Sequence, residues 1–121
     1  MTGSTAPAPR RAPLLERALD EAARHLVRLG YQQLDRPGGG CDLVVASPNQ
    51  LVFCRLHAQR GLDRAAERRE PPPRHELRRA GCRWLTGRGE LPWSEVCFDL
   101  LFVQLGHDDR LVGVEHHPDG F

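Results

Sequence analysis

From Pro13 to Leu29 the apolar residues Leu15, Ala18, Leu19, Ala22, Leu26 and Leu29 recur three or four apart, while Glu16, Arg17, Asp20, Arg24 and Arg28 fall mostly opposite them. That spacing follows the 3.6-residue repeat of a helix with one buried face. Pro13 suits the first helical turn, and Gly30 stands where a left-handed cap would end the helix. A short polar and apolar stretch at Tyr31 to Leu34 then meets Pro37-Gly38-Gly39-Gly40, and Leu43-Val44-Val45-Ala46 is closed by Ser47-Pro48-Asn49. These predict two strands and a turn, with antiparallel hairpins joining the early strands. From Leu51 to His57 the pattern alternates: Val52, Cys54 and Leu56 share one face of a strand, and Phe53, Arg55 and His57 share the other.

Residues 59–73 combine Arg, Glu and Gly, end in Pro71-Pro72-Pro73, and offer too few apolar groups to bury, which predicts a mobile loop or a short solvated helix. Helical spacing returns from Arg74 to Thr86, where Leu77, Ala80, Gly81 and Trp84 form a stripe and Arg74, Arg78, Arg79 and Arg83 lie off it. Val96 to Leu105 is strongly apolar and β-prone, His107-Asp108-Asp109 reads as a turn, and Leu111 to Glu115 alternates like an edge strand. The order helix, three strands, helix, two strands predicts an α/β domain, a mixed central sheet of about five strands flanked by two main helices. With 121 residues, the chain suits one domain over 13–121 behind a disordered tail at 1–12.

No apolar run approaches the roughly 18 to 20 residues that a membrane span needs, so a soluble chain without a membrane partner is expected. The first twelve residues lack the apolar stretch of a secretory signal, and a cytoplasmic location is the expectation. Cys41, Cys54, Cys82 and Cys97 are widely spaced and form no Cys-x-x-Cys pair, which argues against a zinc knuckle or a dithiol redox motif. They are read as buried thiols acting as small hydrophobes. All 17 basic residues are Arg. Ten of them fall in residues 55–88 against four acids, whereas residues 89–121 carry one against seven. The two segments are therefore about +6 and −6, an asymmetry that points to polyanion contact or to two patches that face each other or water.

Several of these stretches resemble, in order and spacing, the YraN family. The family pattern runs through a helix ending in Tyr-Leu-x-x-x-Gly-Tyr, then Gly-Glu-Ile-Asp-Leu-Ile, then Val-Phe-Val-Glu-Val-Lys. Here the corresponding stretches are His25-Leu26-Val27-Arg28-Leu29-Gly30-Tyr31, Gly39-Gly40-Cys41-Asp42-Leu43-Val44 and Val52-Phe53-Cys54-Arg55-Leu56-His57. Trp84-Leu85 is similar to the end of the family's second helix, and Cys97-Phe98-Asp99-Leu100-Leu101 to its Arg-Phe-Asp-Val-Val strand. The resemblance runs from about Leu14 to the C-terminus. It implies a restriction-endonuclease-like fold of the PD-(D/E)XK nuclease superfamily, in which an Asp and a Glu-x-Lys pair hold a divalent metal and position the attacking water.

Only part of that pattern survives. Asp42 matches the family Asp, but Arg55 stands for the Glu, His57 for the Lys and Gly40 for the Glu of Gly-Glu-Ile-Asp. The family's helix Glu falls on Leu19, with Glu16 one turn away as a substitute. A positive charge about 5 Å from a divalent ion is repelled by roughly 6 to 7 kcal/mol at an effective dielectric near 20, so no metal is expected at Asp42. Arg55 is read as an internal substitute for the cation, free either to pair with Asp42 or to grip a phosphate with its planar fork. His57 has a ring suited to proton transfer, yet no partnered nucleophile identifies a reaction. His116-His117 and His107-Asp108-Asp109 carry no site, because neighbouring strand residues point to opposite faces and turns favour Asp.

The surviving functional signal is the basic helix and loop, where Arg64, Arg68, Arg78, Arg79 and Arg83 are candidate contacts to DNA or RNA phosphates without sequence specificity. The plain alternative is a solvated helix face. Two rival functions remain open. One is an active endonuclease using Mg²⁺ or Mn²⁺ at Asp42 with Glu16 or Asp99; otherwise no cofactor is expected. The other is a protein-interaction module whose acidic C-terminal surface meets a partner.

Overall fold

The computed structural model describes residues 14–61 and 74–118. The N-terminal tail proposed for 1–12, Pro13, and positions 62–73 of the expected loop, with Arg64 and Arg68, lie outside the described residues. Seven elements follow in the order α1 (Leu14–Arg28), β1 (Gln32–Asp35), β2 (Leu43–Ala46), β3 (Gln50–Arg60), α2 (Arg74–Leu85), β4 (Glu95–Leu105) and β5 (Leu111–His117). The strands form one sheet in sequential order, antiparallel except for the parallel β3–β4 pair. A parallel pair needs a long crossover, and α2 lies on it. This mixed five-stranded sheet with two helices is the restriction-endonuclease-like architecture.

Helix α1 ends as its sequence predicts. Gly30 has φ +102°, the Tyr31 amide donates to the Leu26 carbonyl at 3.0 Å, and the Gly30 amide donates to that of Val27 at 3.0 Å. Those two bonds are the Schellman closure, which a Cβ at position 30 would strain. The apolar stripe is narrower than its spacing suggests: Ala18, Ala22, Ala23 and Leu26 are buried, whereas Leu15 and Leu29 are about half exposed. Small alanines let the helix sit close to the sheet over Leu43, Val45, Val52, Cys54, Leu101 and Val103. On the other face α2 brings Leu77 and Ala80 onto Val44, Ala46, Leu51 and Phe53. Gly81 is needed here, since a Cβ would come within 2.8 Å of the Phe98 ring and 3.1 Å of Phe53. Full burial of a Leu or Phe contributes about 1.5 to 3 kcal/mol, so the two clusters on either side of the sheet are what hold the layers together.

Two expectations need correction. Gln59 and Arg60 belong to β3, not to the loop, because their backbones pair in parallel with Gln104 and Leu105. Ladder pairing, which local sequence does not register, carries the strand on. Cys82 is exposed on α2 and Cys97 is half-buried, so only Cys41 and Cys54 are buried thiols. Burial raises the Cys41 thiol to about 11 and the Cys54 thiol well above its ordinary value, which keeps both protonated. No described helix is long and apolar enough to cross a membrane.

Candidate functional site

Strand parity sets the site. Asp42 lies one residue before β2, in phase with Val44 and Ala46, and Arg55 and His57 follow Phe53 on β3, so all three belong to the α2 side of the sheet. The Asp42 amide donates to the Cys54 carbonyl at 2.8 Å, and its Oδ2 accepts the Leu56 amide at 2.7 Å. Asp42 thus caps the mouth of the β2–β3 hairpin with its own carboxylate. Arg55 Nε is 3.8 Å from the same Oδ2, and Arg55 Nη1 is 3.6 Å from Glu76 Oε2 on α2. These are long contacts for a guanidinium that is partly exposed, so the pairs are loose.

The donor set does not fit a divalent cation. Asp42 supplies one carboxylate, one of whose oxygens is taken by a backbone amide, and a guanidinium occupies the place of the second acid. Position 40, where the family pattern has Glu, has φ +112°, and a Cβ there would lie 2.9 Å from the Glu76 carbonyl oxygen. The backbone of α2 therefore closes over the space that the missing side chain would need. Among the described residues, no three His, Cys, Asp or Glu side chains gather in a metal-binding arrangement.

Asp99, considered above as a second acid beside Asp42, is on the wrong face. It shares β4 with Cys97, Leu101 and Val103, which pack towards α1, and it is buried there. Its Oδ2 lies 2.6 Å from His116 Nε2. Burial, then the charge of Asp99, raises the nearby Tyr31 hydroxyl's pKa. Glu16 is exposed on α1, the helix that covers this same face. His117 points the other way from His116 and meets Phe102 edge-on at 5.2 Å, as adjacent strand residues must.

The basic helix presents its Arg residues unevenly. Arg79 is exposed, Arg78 lies over the Phe98 ring at 5.7 Å, and Arg83 donates from Nη2 to the Gly39 carbonyl at 2.8 Å. Arg88, just past the helix, stacks on Trp84 at 3.7 Å and escaped the sequence reading. So did Glu76, the second acid at Arg55. A helix and a strand far apart in sequence bring that pair together, and no local pattern announces it.

No protein-family model matches the chain. The UPF0102 protein of Frankia casuarinae is similar to it, with 38% identity over 90 residues, a span that covers 69% of this chain and 75% of that protein.

Proposed function

The chain belongs to the UPF0102 family, the same family as YraN, and on that premise we propose that it is a catalytically impaired member of the nuclease superfamily that binds nucleic acid without sequence specificity. The observation that carries the reading is Arg55, which puts a fixed positive charge 3.8 Å from Asp42 where the family pattern has a metal-binding Glu. A guanidinium there opposes a divalent ion and leaves a phosphate-compatible group on the same surface. Arg78, Arg79 and Arg83 on α2, with Arg64 and Arg68 before it, extend the positive charge across the same part of the chain. Arginine on an electropositive surface binds phosphates irrespective of base sequence. The proposal includes a cytoplasmic location and needs no cofactor.

The test is fluorescence anisotropy of labelled branched and single-stranded DNA across a salt series, with and without Mn²⁺. Binding that weakens steeply with salt, ignores the metal and falls in an Arg78→Ala/Arg79→Ala variant is the expected outcome. Metal-enhanced binding with cleavage lost in Asp42→Ala would restore an active endonuclease. Absence of binding at low salt would leave a protein partner as the remaining reading.

A further inference from the structure

Helix α2 covers only part of its face of the sheet. It packs over Val44, Leu51 and Phe53, and beyond Arg55 a groove of about 500 Å³ runs along β3, β4 and β5. The register places His57, Phe102 and Glu115 in one cross-strand row, with Gln59 and Gln104 in the next. Phe102 meets His57 edge-on at 5.4 Å and His117 edge-on at 5.2 Å, so an aromatic ring forms the floor between two imidazoles. Glu115 stands at the wall, its side chain 77% exposed, with Oε2 3.7 Å from His117 Nε2. His57 Nε2 is shielded from water and has no hydrogen-bond partner among the described residues.

Each feature constrains a ligand. The volume is in the range of small-molecule sites, and the aromatic floor favours a flat, apolar-faced group. The Glu115 carboxylate repels a phosphate in the groove but accepts hydrogen bonds from an amino group. Arg55, two residues back on the same face of β3, is the cation nearest along the strand for an anionic tail.

The geometry points to a pocket for one unstacked, amino-bearing nucleobase of a single strand, cytosine being the plainest fit, with its phosphate directed towards Arg55. It deepens the nucleic-acid reading above and rests on it, because it names single strands as the substrate class. Bases in a duplex are stacked and paired, so only an unpaired base can enter. Glutamate accepting from the cytosine amino group is a known mode of base discrimination, and thymine, which carries a carbonyl at that position, cannot supply the donor.

Two measurements separate the pocket from the surface. In the first, cytidine 5′-monophosphate is titrated to millimolar concentration while the imidazole signals are followed by NMR. His57 and His117 should shift, more than they do with thymidine 5′-monophosphate, and Glu115→Ala should erase the difference without disturbing the fold. Unmoved or equally moved imidazoles would overturn the pocket. The second compares oligo(dC) with oligo(dT) by anisotropy at low salt. A preference for oligo(dC) of about tenfold, lost in Glu115→Ala and weakened in Phe102→Leu, is expected from one good base contact. Equal, salt-sensitive binding of both would overturn the pocket and leave the Arg surface standing. A response to the mononucleotide without binding of either oligonucleotide would overturn the single-strand pocket together with the Arg surface and leave a free nucleotide as the ligand of the groove.

Discussion

Asp42 and Asp99 are acids on neighbouring parts of one sheet, and they meet opposite fates. Asp99 faces α1, is 3% exposed, and has an imidazole nitrogen 2.6 Å from one oxygen. Asp42 faces α2, takes a backbone amide at 2.7 Å, and has its guanidinium at 3.8 Å. The difference shows which partner matters on each side. A buried carboxylate depends on its hydrogen-bond partners, whereas a half-buried one held by the backbone tolerates loss of a distant cation. The contact at Asp42 is thus the looser of the two, and the tighter carboxylate–imidazole contact lies on the opposite face of the sheet.

The largest expected effect comes from His116→Ala, which removes the imidazole from a buried carboxylate. A loss of about 2 to 3 kcal/mol in urea unfolding follows from taking a hydrogen-bond partner away from a buried polar group. A loss below about 1 kcal/mol would show that Asp99 is held mainly by its other contacts, and the contrast between the faces would collapse.

Gly81→Ala comes next and tests how firmly the α2 side is packed. Alanine in a helix normally stabilises by about 1 kcal/mol relative to glycine. Here the added carbon meets Phe98 at 2.8 Å. The sign should reverse, to a loss of about 2 kcal/mol by overpacking, visible as a lower Tm.

Within the candidate site, Asp42→Ala should cost about 1 to 2 kcal/mol, since the Leu56 amide loses its acceptor. Arg55→Ala should cost less than about 1 kcal/mol, because both its ion pairs are long and partly exposed. An Arg55 loss equal to that of Asp42 would mean the guanidinium is structural.

The smallest effect is nil at neutral pH and appears only in alkali. Cys54 lies in the α1-side cluster and Cys41 in the α2-side cluster, and burial raises both thiols. A group that holds its proton more tightly when folded loses its stabilising contribution as pH rises past the unfolded value. Stability should therefore be level near neutrality and fall from about pH 9 upward, with Cys41 contributing until about 11. At neutral pH a thiol reagent should label the exposed Cys82 fast and leave Cys41 and Cys54 unmodified. Fast labelling of Cys41 would show that the α2 side opens.

Much of this molecule was determined by sequence alone. The stripe Ala18, Ala22 and Leu26, the cap at Gly30, the β-prone run Leu43–Ala46 and the alternation from Leu51 to His57 are local patterns, and local patterns are what the backbone reads first. The same alternation placed Arg55 and His57 on one face, and the spacing of weak motifs identified the family. What the tertiary structure decided are relations between distant residues. Parallel pairing with β4 extended β3 through Arg60, and strand parity on β4 sent Asp99 to the face away from Asp42. Docking of α2 brought Glu76 to Arg55 and closed the space above Gly40. The row of His57, Phe102 and Glu115 exists only through the register of three strands. Register and helix docking follow from the joint packing of the whole core, and a one-residue slip would move every one of these side chains to the other face.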